Sequence, residues 1–75
     1  MKRIIQFHIY KGDKYYVAEG VDLPVVTQAK TLDELAKNIK EAVDLHLKGE
    51  APANFNLAPH PSVLMNFELP MTAHA

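Results

Sequence analysis

A chain of 75 residues, 48% hydrophobic and 23% charged, has room for one small globular domain, which excludes a multidomain enzyme and a disordered tail. The absence of cysteine excludes a disulfide scaffold, a thiolate metal site and a cysteine nucleophile. Eight Lys+Arg against nine Asp+Glu give a formal charge of −1 and no basic stripe, so autonomous nucleic-acid binding is not expected.

The first predicted element is a strand. Ile5, Phe7 and Ile9 alternate with Gln6, His8 and Tyr10, placing an apolar set on one face and a mixed set, with Ile4, on the other. Lys11-Gly12-Asp13-Lys14 reads as a tight turn in which Gly12 supplies a positive φ. A second strand over 15–19 returns antiparallel. After a connection from Gly20 to Pro24, a third short strand runs over 25–27.

Thr31-Leu32-Asp33-Glu34 is a capping box that opens a helix. Leu32, Leu35, Ala36, Ile39, Ala42, Val43 and Leu47 form its apolar stripe, and Gly49 suits its left-handed cap. Asp33–Lys37 and Lys40–Asp44 fall at i,i+4 on its outer surface. Pro52, Pro59 and Pro61 make residues 50–61 a loop, with Phe55 and Leu57 tucked against the domain. Ser62 to Leu69 forms the fourth strand, with Val63, Met65, Phe67 and Leu69 on one face.

The expected fold is α+β, a two-layer sandwich of order βββαβ with a four-stranded mixed sheet and one helix on one face. Residues 1–70 form the domain and 71–75 a disordered tail. No apolar run is long enough for a membrane span, and the N-terminus is too short for a signal peptide, so a cytoplasmic domain is expected. So small a domain is marginally stable alone, and its exposed sheet edges and uncovered face favour a homodimer or tetramer.

Candidate chemistry is thin. His8, His46, His60 and His74 lie on separate elements without metal-ligand spacing. Capping and surface pairing account for the helix acids, Asp13 belongs to a turn, and Asp22 suits backbone amides in its loop. No nucleophile with its base and no phosphate-binding loop is present, so neither catalysis nor a cofactor or metal is expected. The tyrosines near the first hairpin read as cross-strand packing. The uncovered sheet face, through Gln6, His8 and Tyr10, is the candidate partner surface.

Tyr15-Tyr16-Val17-Ala18, Asp22-Leu23-Pro24, Thr27-Gln28, Thr31-Leu32-Asp33-Glu34-Leu35 and Asn38-Ile39-Lys40-Glu41-Ala42, in that order, resemble the HicB-like antitoxin family over residues 1–49. Tyr16, Asp22, Leu23, Pro24, Thr27, Gln28, Thr31 and Glu34 carry the resemblance. Val25-Val26 and Ala29-Lys30 depart from the family's Gly-Cys and Gly-Asp. The resemblance implies a partial ribonuclease-H-like fold and a small basic HicA-type toxin, an mRNA-cleaving protein, as partner. It carries over neither nuclease activity, since the first strand has no carboxylate, nor operator binding. The alternative is an orphan homo-oligomeric domain of the same fold, structural or regulatory, with no toxin partner. A residual metal-dependent nuclease using Asp22 with helix acids is the remaining, weakest reading.

Overall fold

The computed structural model describes residues 1–71, so His74 and most of the expected 71–75 tail lie outside the described residues. Strand β1 (Lys2–Lys11), β2 (Tyr16–Gly20) and β3 (Val26–Ala29) form an antiparallel meander. Helix α1 (Leu32–Leu47) follows, then a 3-10 turn (Pro52–Phe55) and β4 (Leu57–Phe67), which runs parallel to β1. The strand order is β3-β2-β1-β4, a mixed sheet with both β3 and β4 at edges. The two-layer α+β fold is the expected one.

The alternation in β1 sets the core. Ile5, Phe7 and Ile9 are fully buried and meet Leu35, Ile39 and Val43 of α1, together with Ala18 and Ala29. Each such side chain contributes about 1.5–3 kcal/mol by leaving water. Leu23 and Val25 of the β2–β3 connection and Leu57 at the start of β4 complete this cluster. With one sheet and one helix the domain is thin and elongated, 52 × 21 × 17 Å.

The helix starts as its sequence requires. The Thr31 hydroxyl accepts the Glu34 amide at 3.1 Å, while the return bond expected from the Glu34 side chain is not formed. Gly49 takes a left-handed φ of 78° beyond the C-cap Lys48. The Asn38 side-chain amide donates to the Gln28 carbonyl at 3.1 Å, tying the helix to β3. Neither expected helix-surface ion pair is within bonding distance; among the described residues Lys2 pairs with Asp22, and His8 lies close to Glu68.

Several boundaries differ from expectation. The first hairpin is not tight: residues 12–15 lie outside the Lys11↔Tyr16 pair, and the Gly12 amide donates to the Tyr15 carbonyl without a positive φ. The third strand begins at Val26 because Val25 is held in the preceding loop by its hydrogen bonds to Leu23 and Gly20.

The largest correction concerns the prolines. The second half of the expected 50–61 loop belongs to β4, which ends at Phe67 instead of Leu69. Leu57 pairs with Lys2 and Ser62 with Ile4, so residues 58–61 form a wide bulge opposite Arg3. His60 sits there with a φ of 53°, not in a free loop. An edge strand tolerates Pro59 and Pro61 because their missing amides need no ladder partner.

Candidate partner-binding faces

Two surfaces emerge, one on each side of the sheet. On the side away from α1, β1 presents Gln6, His8 and Tyr10 at two-residue spacing, so the three expected partner-face residues do lie together. Glu19 of β2 stands across from His8, and Leu64 and Asn66 of β4 across from Gln6 and His8. The polar groups pair among themselves. Tyr10 Oη donates to Glu19 Oε1 at 2.7 Å, Asn66 Nδ2 donates to Gln6 Oε1 at 3.3 Å, and His8 Nε2 lies 3.4 Å from Glu68 Oε1. The His8 ring also stands 6.0 Å from that of Tyr10. Ile4 and Leu64 add an exposed apolar flank.

The hydrogen bond to Glu19 raises the Tyr10 pKa above its ordinary value, with desolvation and the Glu19 charge acting in the same direction. The phenol is therefore held neutral. Because the folded value is raised, this bond contributes below the ordinary tyrosine pKa of about 10 and is lost as pH rises through the folded value. Glu19→Gln removes the charge and is expected to bring the Tyr10 transition down, read by ultraviolet difference titration against Tyr10→Phe. An unmoved transition in Glu19→Gln would refute the pairing.

On the other side, α1 packs most closely on β3 and β2 and lies beside β4. Val63, Met65 and Phe67 of β4 are consequently only partly covered. Two cavities lie along this seam. One of about 470 Å³ is lined by apolar Ile5, Val43, Pro61 and Val63 with Lys40 and Asp44 at its rim. The other, of about 330 Å³, is lined by Ile9, Leu32, Ala36, Met65 and Phe67. The alternation of Val63, Met65 and Phe67 beside a single narrow helix stripe is the sequence signal for this groove.

The residues that carried the family resemblance are mostly framework. Tyr16 is half-buried, stacked edge-on against Phe67 at 5.6 Å between ring centres. Asp22 does not serve backbone amides; its carboxylate accepts from Lys2 Nζ at 2.7 Å and pins the β2–β3 connection to the start of β1. Leu23 is buried, Thr27 half-buried and Pro24 exposed, while Gln28, Thr31 and Glu34 anchor the helix as described. His46 is half-buried against Phe55, with 5.3 Å between ring centres. Among the described residues no three His, Asp or Glu side chains converge as a metal site. The two faces offer apolar area and paired polar groups.

A curated relative resembles part of this chain. A UPF0150 protein of Archaeoglobus fulgidus is 51% identical over 37 residues, 48% of this chain and 54% of the relative. The chain thus spans about half the length of that relative, whose name states no activity. No family model and no solved structure matches the chain. No helix among the described residues is long and apolar enough to cross a membrane.

Proposed function

We propose that this domain is a HicB-like antitoxin module that acts in the cytoplasm without catalysis of its own. It binds a small, basic HicA-type mRNA-cleaving toxin and neutralises it by covering its catalytic surface. The observation that carries this reading is the ordered motif series from Tyr16 to Glu34, set in a chain whose βββαβ order is the one the resemblance implies. The open face supports it: Gln6, His8 and Tyr10 are flanked by the carboxylates of Glu19 and Glu68. Negative groups around a mixed surface suit a basic partner, chiefly through association rate and specificity.

Co-expression with a small basic HicA-type toxin tests this directly. Relief of growth arrest and stoichiometric copurification are expected. Reversing charge with Glu19→Lys and Glu68→Lys together should slow association at least about tenfold at low salt. An arrest that the wild-type domain does not relieve overturns the reading. The apolar seam beside β4 favours a second reading, a toxin-free self-assembling domain with a structural or regulatory role.

A further inference from the structure

On the open face an imidazole sits between two carboxylates. From β2, Glu19 is the cross-strand partner of His8, and facing residues of an antiparallel pair have Cβ atoms about 4.5–5.5 Å apart. From β4, Asn66 is its partner, and just past the strand end Glu68 Oε1 lies 3.4 Å from His8 Nε2. Along β1 itself, the Tyr10 ring stands 6.0 Å away and Gln6 is occupied with Asn66. β3, beyond Glu19, presents Val26, and α1 packs on the other side of the sheet against Ile5, Phe7 and Ile9. Among the described residues no lysine or arginine pairs with Glu19 or Glu68; Lys2 and Asp22 are closed on each other at the start of β1. His46 is on α1 and His60 in the β4 bulge, so neither joins this cluster.

The charge of the cluster therefore turns on one proton. Imidazole is the side chain whose charge ordinarily changes between about pH 5 and 8. Tyr10 adds nothing to that change, because its hydrogen bond to Glu19 raises its pKa and keeps the phenol neutral. With His8 neutral, Glu19 and Glu68 leave the cluster doubly negative. A proton on His8 cancels one of those charges, and the imidazolium engages Glu68 as an ion pair. Both effects take away what a cation would bind. The His8 side chain is 41% exposed, open to water and to an approaching partner alike.

We propose that His8 is the proton sensor of the partner face: a basic partner docks over the neutral imidazole and is released when His8 takes up a proton. The inference rests on the antitoxin reading and adds its regulation. The sign follows from linkage. A lysine or arginine of the partner, drawn between Glu19 and Glu68, stands over His8 and repels a proton there. Docking and protonation thus oppose each other, each weakening the other by the same factor. Binding releases up to one proton, so affinity falls as pH drops through the imidazole range, by no more than about tenfold per pH unit.

Titration calorimetry of the domain against a small basic HicA-type toxin, at about pH 8 and about pH 5.5, tests this. The wild-type affinity is expected to fall at least about fivefold at the lower pH. Proton release should appear as a dependence of the binding heat on the buffer. His8→Gln, neutral at both pH values, should bind as the wild type does at the higher one and lose most of the fall. His8→Lys, charged at both, should bind weakly throughout. A residue that only packs would not divide the two variants by charge. A fall that persists in His8→Gln, or equal affinities for the Gln and Lys variants, overturns the inference and leaves the antitoxin reading standing. Circular dichroism checks that each variant folds, and the wild-type proton count decides the matter if one does not: binding without release overturns the inference. No binding at the higher pH overturns the antitoxin reading and this regulation with it.

Discussion

Phe7→Ala is expected to remove a large share of the domain's stability. Phe7 is the largest fully buried side chain, standing between Gly20 on β2 and Met65 on β4. Glycine opposite it has no side chain with which to fill a void, and the strand backbone is fixed by pairing on both sides. Truncation of a buried phenylalanine costs about 3–5 kcal/mol. A 75-residue domain has roughly 4–11 kcal/mol of stability in total, so from about a quarter to all of it is lost. Urea unfolding by circular dichroism would show the Phe7→Ala transition moved to much lower urea. Phe7→Leu, which keeps most of the volume, should still unfold cooperatively. A loss below about 1 kcal/mol in Phe7→Ala would mean that the core closes over the site, contrary to its fully paired surroundings.

The parts of this structure that were legible in the sequence are those fixed by local chemistry. Thr31 caps, Leu35, Ile39 and Val43 share a face, and Gly49 accepts the left-handed cap, all within one short stretch. The period of two in β1 likewise identified Ile5, Phe7 and Ile9 as core, and therefore Gln6, His8 and Tyr10 as the other face. What escaped depends on pairing between distant residues. Pro59 and Pro61 signal a loop on local rules, yet Leu57 pairs with Lys2 and pulls the segment into the sheet as a bulge.

The Asp22–Lys2 contact spans 20 residues and has no local signature. The groove beside α1 follows from the strand order, since placing β4 outside β1 carries Val63, Met65 and Phe67 beyond the helix. For the candidate sites the same division holds. The motif residues were recognisable because they are the framework, and the surfaces were harder to read because their composition is constrained only by what covers them.

Gly20 shows how the motif region is built around a close backbone approach. A Cβ at this position would lie 2.2 Å from the Leu23 carbonyl oxygen and 3.3 Å from that of Val25. Both obstacles are main chain, so no side-chain rotation relieves the clash. The Gly20 amide donates to the Val25 carbonyl at 2.8 Å, and the Val21 amide to the Gln6 carbonyl at 2.9 Å, which holds the loop against the sheet. Gly20→Ala must therefore push the 21–25 loop outward. That breaks the Gly20–Val25 bond, lifts buried Leu23 and Val25 from the core and strains the Asp22–Lys2 pair. Overpacking in a core typically costs about 1–3 kcal/mol, and here two buried side chains and a backbone hydrogen bond go with it, so the upper end or beyond is expected. Gly12→Ala is the control: its Cβ would meet the Tyr15 carbonyl oxygen at 3.4 Å, ordinary contact, and a loss under about 1 kcal/mol is expected. Comparing the two by thermal unfolding, with amide exchange at Val21 and Val25, separates a local lifting of the loop from global unfolding. Equal losses in the two variants would refute the close approach at Gly20. A large, localised loss at Gly20 would show that the Asp22-Leu23-Pro24 segment is held in place by the absence of a single methyl group.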